Sequence, residues 1–498
     1  ITLKNTNSDA FNANEIRMID SGGYVQGGMS VRNLGHGAAG SSDLGLFVRN
    51  AGTLVNPVLI SSTGLAVTGA LSVSTDANIR TTKGNFNLTV NVKDHGAVGD
   101  GTANDTAAIT AAIAALPASN GHLYFPPGTY KMLSTLSAFA SKTYLTISGD
   151  GAVLNNIHHG NTFEIQSTCS FVTIKGLKFI GDAAVRASGI HIRTQASDVT
   201  ITDCYFQGCS DFGVFIGHDN TAGICRRVTV SACIFKATLG DGVHIMHASD
   251  VVVNGNVFFD TGDDSIAAVA DVTATPPSRV TISNNAIYNS AFRGIAILEA
   301  SDVIVTGNRI ETCVGAAIEV GRYLSTTAYN DRVMIQGNKI YNSTTSSGPR
   351  GAIGLYFGRD CHVIGNSIVA TANGSAVALL DVQSCSVLGN MIKTAASRGI
   401  ATDDTTTANV ATAWVNLTIK GNTIYAVTAN QAIYVRPASG ITLTDLIVDS
   451  NVGMDLPAGD YIYYDRVTTG RVLNNTNLQA LAIGAGGAAS GVTLFNNN

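Results

Sequence analysis

The sequence predicts an all-β protein built around a solenoid, and three observations carry that expectation. From about residue 169 to residue 450 a short valine/isoleucine run leads into Gly-Asn or Asn-Asn and then a second short apolar run. Examples are Val251-Val252-Val253-Asn254-Gly255-Asn256, Val303-Ile304-Val305-Thr306-Gly307-Asn308 and Val333-Met334-Ile335-Gln336-Gly337-Asn338. The marker position reads Cys204, Cys233, Asn256, Asn285, Asn308, Asn338, Asn366, Asn390 and Asn422, spaced by 23 to 32 residues. A second motif, Gly-Ile/Val-x-Ile/Val, opens eight residues after the marker on the coils at 212, 241, 264, 293 and 316. The composition agrees: 45% hydrophobic and 13% charged over 498 residues, with 53 Gly. That charge share is about half the usual globular value. A repeat of this length is one supersecondary unit that closes a core only by stacking on its neighbours.

Residues 1–90 read as short strands and turns, for example Leu44-Gly45-Leu46-Phe47-Val48, and form a separate β-rich module or stalk. Residues 91–440 form the solenoid. Near its start Ile109, Ile113 and Leu116 recur at helical spacing on an alanine-rich background, giving a short helix over 105–116. Asp105 stands at its N-cap and Pro117 ends it. One face of such a helix can cover the open end of a solenoid core. Past 440 the marker fades, and Tyr461-Ile462-Tyr463-Tyr464 and the Gly/Ala-rich 482–487 point to a distinct C-terminal β-rich region over 441–498. The first residues, Ile1-Thr2-Leu3-Lys4-Asn5, are strand-like rather than a leader, and the chain reads as a piece of a longer protein.

The eight cysteines include no Cys-x-x-Cys pair and several occupy repeat positions, so buried free thiols are expected rather than disulfides or a metal site. No metal and no cofactor are called for. Net charge is −5, which leaves no basic footprint for nucleic acid. No apolar run is long enough for membrane insertion by a helix.

The stretch from Val92 to Tyr130 is more specific. It carries Asp94-His95-Gly96-Ala97-Val98-Gly99-Asp100-Gly101, then the helix, then Phe125-Pro126-Pro127-Gly128-Thr129-Tyr130. It resembles the N-terminal signature of the pectate-lyase superfamily of right-handed parallel β-helices, as found in phage tailspikes and related polysaccharide-degrading enzymes. Asn104 departs from the acidic residue usual there. The resemblance implies a right-handed parallel β-helix with a capping helix. It also implies a homotrimer, trimerised through the C-terminal region, that is attached to a virion tail through a missing N-terminal part and acts on a bacterial surface polysaccharide.

The register then places side chains. The aliphatics of each Gly-Ile/Val-x-Ile/Val strand must point inward, because side chains alternate along a strand, so the residue between them points out. The outward column is His191, Phe215, His244, Ala267, Ala296, Glu319. Beside it, at the turn opening each strand, run Phe212, Asp241, Asp264, Arg293 and Ala316, with Asp263 adjacent to Asp264 and Glu299 just past the Arg293 strand. A single Asp in a turn such as Gly262-Asp263-Asp264 is accounted for by turn chemistry. Several acids in register on neighbouring coils of a charge-poor chain are not. Like charges about 5 Å apart raise one another's pKa, so one can hold a proton as general acid. Adjacent coils suit a retaining pair; Asp264 and Glu319, two coils apart, suit an inverting one. Longer coils at about 217–226, 270–278, 321–331, 343–350 and 403–413 are expected to wall a groove, where Arg322, Tyr323, Tyr329 and Tyr356 could stack on sugar rings.

Asp241-Gly242-Val243-His244-Ile245 and Gly262-Asp263-Asp264-Ser265-Ile266-Ala267 are similar to two consecutive strands of polygalacturonase-like hydrolases. That similarity implies Asp241, Asp263 and Asp264 as the acid/base set. The family's next Gly-His-Gly is Phe292-Arg293-Gly294 here, and its carboxylate-gripping Arg-x-Lys is Glu319-Val320-Gly321, which points away from pectin. The expected catalytic residues are therefore Asp241, Asp264, Asp263, Glu319 and Glu299. The expected substrate-binding residues are His244, Arg293, His191, Arg322, Tyr323, Tyr329 and Tyr356. The expected activity is endo-acting glycosidic hydrolysis of capsule or O-antigen. Two rivals stay open: a polysaccharide lyase using Arg293 or His244 as base, with Ca²⁺ on clustered Asp, and a non-catalytic receptor-binding fibre.

Overall fold

The computed structural model describes six strands between residues 2 and 67, and residues 88–498 apart from 137–138, 183–187, 218–222, 271–274, 324–327, 344–350, 372, 403–413, 429–430, 438–439, 457–460, 479–480, 484–490, 496 and 498. The chain divides into two compact units, Ile1–Gly84 and Asn85–Asn498. In the first, strands Thr2–Thr6, Ala13–Ile19, Val25–Asn33, Ser42–Asn50, Thr53–Ser61 and Gly64–Val67 form an antiparallel sheet in which each pairs with the next.

The second unit is a right-handed parallel β-solenoid of about 12 turns. A long ladder of strands winds along it. A separate sheet of 13 short parallel strands, from Phe163–Ile165 to Leu481–Ile483, forms another face. The helix spans Thr106–Ala115, and Ile109, Ala112 and Ile113 are fully buried in the solenoid core. Leu116 is extended, as a residue before proline should be. The Asp105 side chain does not cap the helix. It accepts instead from the backbone N–H groups of Val98 (2.6 Å) and Lys131 (3.3 Å), tying the glycine-rich signature loop to the next strand. Asn104 takes over near the helix start: its Oδ1 accepts from the Thr106 N–H at 3.1 Å.

The markers form a buried ladder. Asn256 Nδ2 donates to Val230 O (2.9 Å) and to Asn285 Oδ1 (3.0 Å), and the same oxygen accepts from the Asn256 N–H. The pattern repeats through Asn285, Asn308, Asn338, Asn366, Asn390 and Asn422. Each amide thereby satisfies turn backbone that would otherwise lie buried and unpaired. Phe179, Phe206, Phe235 and Phe258 stack in the core at 4.7–4.9 Å with planes 6–8° apart. This stack explains the glycine of the second motif: a Cβ at Gly242 would lie 2.6 Å from the Phe258 ring and 2.6 Å from Ser265 O. All eight cysteines are free and buried, as expected.

One expectation fails. No distinct region begins at 441. Strands Leu443–Asp449, Gly470–Leu473 and Val492–Phe495 continue the long ladder in parallel register, and Ile462–Tyr464 continues the short sheet. The asparagine ladder runs on through Asn451, Asn475 and Asn497. The glycine beside the marker is lost there, but the amide that builds the turn remains. Of the lengthened loops, 218–222, 271–274, 324–327, 344–350 and 403–413 lie outside the described residues.

Candidate active site

The outward column exists in the register read from the sequence. His191 pairs with Phe215, Phe215 with His244, His244 with Ala267, Ala267 with Ala296 and Ala296 with Glu319. It is not an open surface, however. His191, Phe215, Ala267, Ala296 and Glu319 are all buried, and Ala267, Val269, Ala296 and Leu298 form a small apolar cluster of their own on this side.

Six residues from four consecutive coils converge. Asp241 Oδ2 lies 2.6 Å from His244 Nδ1, and Asp241 Oδ1 accepts from the Asp264 N–H at 2.9 Å. Asp264 Oδ1 accepts from the Arg293 N–H and from Arg293 Nε, both at 3.0 Å. Arg293 Nη1 then donates to Glu319 Oε1 at 3.1 Å, reaching past the short side chain of Ala296. Asp263 completes the set and is the exposed member: oxygens of Asp241, Asp263 and Asp264 all lie within 4.8 Å of one another. Phe212 and Phe215 pack on the His244 ring at 4.6 and 5.2 Å, and Arg293 lies 4.3 Å over the Phe292 ring.

The electrostatics separate these carboxyls. Burial pushes Asp264 up to about 8; Arg293 pulls it back, while Asp241 and Asp263 add to the rise. With Oδ1 committed to two Arg293 donors, Oδ2 is the oxygen left to carry the proton. Burial, then the charge of Asp241, raises Asp263 as well. The expected mutual repulsion of the acids is therefore present, with desolvation as its larger partner. Three carboxylates this close could also hold a hard divalent cation through oxygen. The donor set fits in number, but one Asp264 oxygen already faces the Arg293 guanidinium, which competes for the same charge.

The other expected residues lie elsewhere. His191 is buried with both ring nitrogens engaged, Nδ1 3.2 Å from Asn161 Nδ2 and Nε2 3.0 Å from Gly217 O, and its ring stacks on Phe215. Glu299 is buried in the turn after its strand, where Oε1 accepts from the Tyr323 N–H at 3.0 Å, so it organises that turn and does not join the acid set. Glu319 is held as the far partner of Arg293. Arg322 lies 3.6 Å over Phe357 and donates to Ala328 O, and Tyr329 donates to Asp381 Oδ2 at 2.9 Å. Both belong to a network at the end of the Ile318–Gly321 strand, apart from the acids. The Tyr356 ring covers Gly354, and its hydroxyl accepts from the Gly351 N–H at 3.3 Å. Tyr323 alone of these aromatics is open to solvent, at 56%. The sequence placed Phe212 and Phe292 beside these positions but gave neither a role at the site. A signal for Phe212 was in the register, since it holds the place of Asp241 one coil earlier.

Fold and site together define a β-solenoid that carries a half-buried carboxylate–arginine–histidine cluster on one sheet. Residues 89–319 match the family model described as rhamnogalacturonase A/epimerase, pectate lyase-like, and residues 274–413 match that of the right-handed β-helix region. A curated relative is the mannuronan C5-epimerase AlgE2 of Azotobacter vinelandii, 25% identical over 262 residues, 51% of this chain; the match spans about a quarter (24%) of the epimerase. Among solved structures, the surface adhesin PfbA of Streptococcus pneumoniae superposes with TM-score 0.56 at 17% identity, covering 71% of this chain and 93% of that one. The catalytic unit of a GH87 α-1,3-glucanase from Streptomyces thermodiastaticus gives 0.55 at 17%, covering 91% and 89%. Pre-mature gene product 12 of bacteriophage phi29 gives 0.57 at 15%, covering 82% and 56%. These likenesses describe the fold. No helix among the described residues is long and apolar enough to cross a membrane.

Proposed function

We propose that the chain cleaves a polysaccharide by glycosidic hydrolysis at the Asp241–Asp263–Asp264 cluster. The observation that carries this reading is the split between neighbouring carboxyls. Asp264, buried and raised to about 8, holds a proton at neutral pH, while Asp263 stands exposed on the same turn. Asp264 is the general acid that protonates the leaving oxygen. Asp263, with Asp241 beside it, is the carboxylate side of the pair. Asp241 and His244 hold each other and fix the Asp264 backbone; Arg293 orients Asp264, and Glu319 orients Arg293. The substrate of this reading is a bacterial surface polysaccharide, with the protein acting as a homotrimer on a virion tail. Its support is the sequence resemblance of residues 92–130.

The test is mass analysis of products from a panel of capsular polysaccharides, with wild type and Asp264→Asn side by side. Shortened, saturated oligosaccharides from wild type alone support the reading. Equal cleavage by Asp264→Asn overturns the assignment.

A second reading is proton abstraction next to a uronate carboxylate. It is favoured by the 2.6 Å Asp241–His244 pair and by a His244 Nε2 that has no hydrogen-bond partner among the described residues. Arg293 would then neutralise the carboxylate. Ultraviolet absorbance from unsaturated product ends would select it over hydrolysis.

A further inference from the structure

A second surface feature lies on the long ladder, on coils that precede the acid cluster. Tyr144 and Phe171 stand on consecutive coils, 55% and 46% exposed, with rings stacked at 4.6 Å and 3°. Both adopt left-handed backbone, φ 52° and 55°. The same corner on later coils carries Asp198, Arg227, Asp250, Arg279, Asp302 and Arg332, all charged. Large apolar rings at an exposed left-handed corner are unfavourable both in conformation and in hydration. An outlier of this kind is a ground for a functional hypothesis.

The ridge walls a groove of about 470 Å³. Its floor is a row of hydroxyls in register: Thr146 beside Thr173, and Thr173 beside Thr200. Its far end is Asp198 and Arg227, joined by two hydrogen bonds of 2.6 and 2.8 Å. The lining therefore combines an aromatic wall, evenly spaced hydroxyls and a self-neutralised ion pair. The coils repeat about every 4.8 Å along the axis, close to the length of one pyranose unit. Sugars present that combination in reverse: apolar C–H faces for rings and hydroxyls for hydrogen bonds. With Asp198 and Arg227 cancelling each other, nothing in the groove selects a charged sugar.

We propose that this groove is a second saccharide-binding site, taking a short neutral stretch of polysaccharide laid along the solenoid axis. It holds polymer without cutting it, and it shares with the cleavage reading only the class of ligand. The experiment is affinity electrophoresis of the whole chain through gels containing soluble galactomannan, dextran or polymannuronate. Expected is retardation of wild type by at least one of the two neutral polymers. In Tyr144→Ala/Phe171→Ala the affinity drops by about tenfold or more. Phe171→Leu, which keeps an apolar side chain but no ring, weakens retardation as well and decides the matter if the double variant melts early. Asp264→Asn retains full retardation, so loss of the cleavage reading leaves this one standing. The proposal is overturned by absence of retardation in both neutral polymers, by retardation that the ring substitutions leave unchanged, or by retardation in polymannuronate alone. It is overturned too if the double variant changes the sedimentation coefficient without polymer, which would make the ridge a contact between copies of the chain.

Discussion

The solenoid stacks Asp against Arg on neighbouring coils both at an exposed corner and on the short sheet, with opposite consequences. At the exposed corner Arg227 meets Asp198, Arg279 meets Asp250 and Arg332 meets Asp302, each through two hydrogen bonds. There the Arg hydrogen bonds hold all three aspartates below the usual carboxylate range, in solvent. On the short sheet Arg293 gives Asp264 one guanidinium hydrogen bond, from Nε to Oδ1, and turns Nη1 to Glu319; Asp264 is raised to about 8, because it is 3% exposed and shares its site with Asp241 and Asp263. The same pair of residue types is therefore a surface clip in one place and a proton reservoir in the other. Depth and the neighbouring acids raise Asp264, and its single guanidinium bond offsets them less than the two bonds at the corner would.

The comparison can be broken at its centre. Asp264→Asn should lower kcat on the cognate polymer by about 10²–10⁴-fold, measured by reducing-end release, with the circular dichroism spectrum of the folded chain unchanged. A drop under threefold would show that the buried proton is not used. Arg293→Ala removes the cation that bridges the buried Asp264 and Glu319 side chains and should cost about 3 kcal/mol in chemical denaturation. A loss no greater than that at the exposed corner would erase the contrast.

The pH dependence follows from sign. Folded Asp264 keeps its proton to about pH 8, whereas the unfolded carboxyl releases it near the ordinary Asp value of 3.8. Rising pH thus favours the unfolded state across that window, and this group's contribution to stability is lost as pH climbs through 8. The Tm of Asp264→Asn relative to wild type should rise between pH 5 and pH 8, and wild-type activity should fall above pH 8. A pH-independent difference in Tm would contradict the assignment. The smallest effect belongs to the corner: Asp250→Ala should shift Tm by less than about 2 °C and leave activity unchanged.

Much of this arrangement is legible in the sequence. The column from His191 to Glu319 follows from strand alternation and from parallel coils stacking in register, and both are periodic properties of the sequence. Asp241, Asp263, Asp264 and Arg293 were legible for the same reason. Periodicity stops carrying information in two stretches. Past residue 440 the glycine beside the marker disappears, although Asn451, Asn475 and Asn497 keep the ladder. His191 and Glu299 share the register with the acids, but their partners come from Asn161, Gly217 and the Tyr323 backbone, positions that no repeat places.

The sequence by itself determined the solenoid, the capping helix, the buried thiols and the face on which the acids stand. These depend on short-range alternation and on a repeat that each coil must obey to bury its core. Only the tertiary structure decided that this face is largely buried, that Arg293 bridges Asp264 to Glu319, and that burial beside Asp241 and Asp263 raises Asp264. Those outcomes depend on desolvation and on three-dimensional distances between charges, which a linear pattern of residues does not carry.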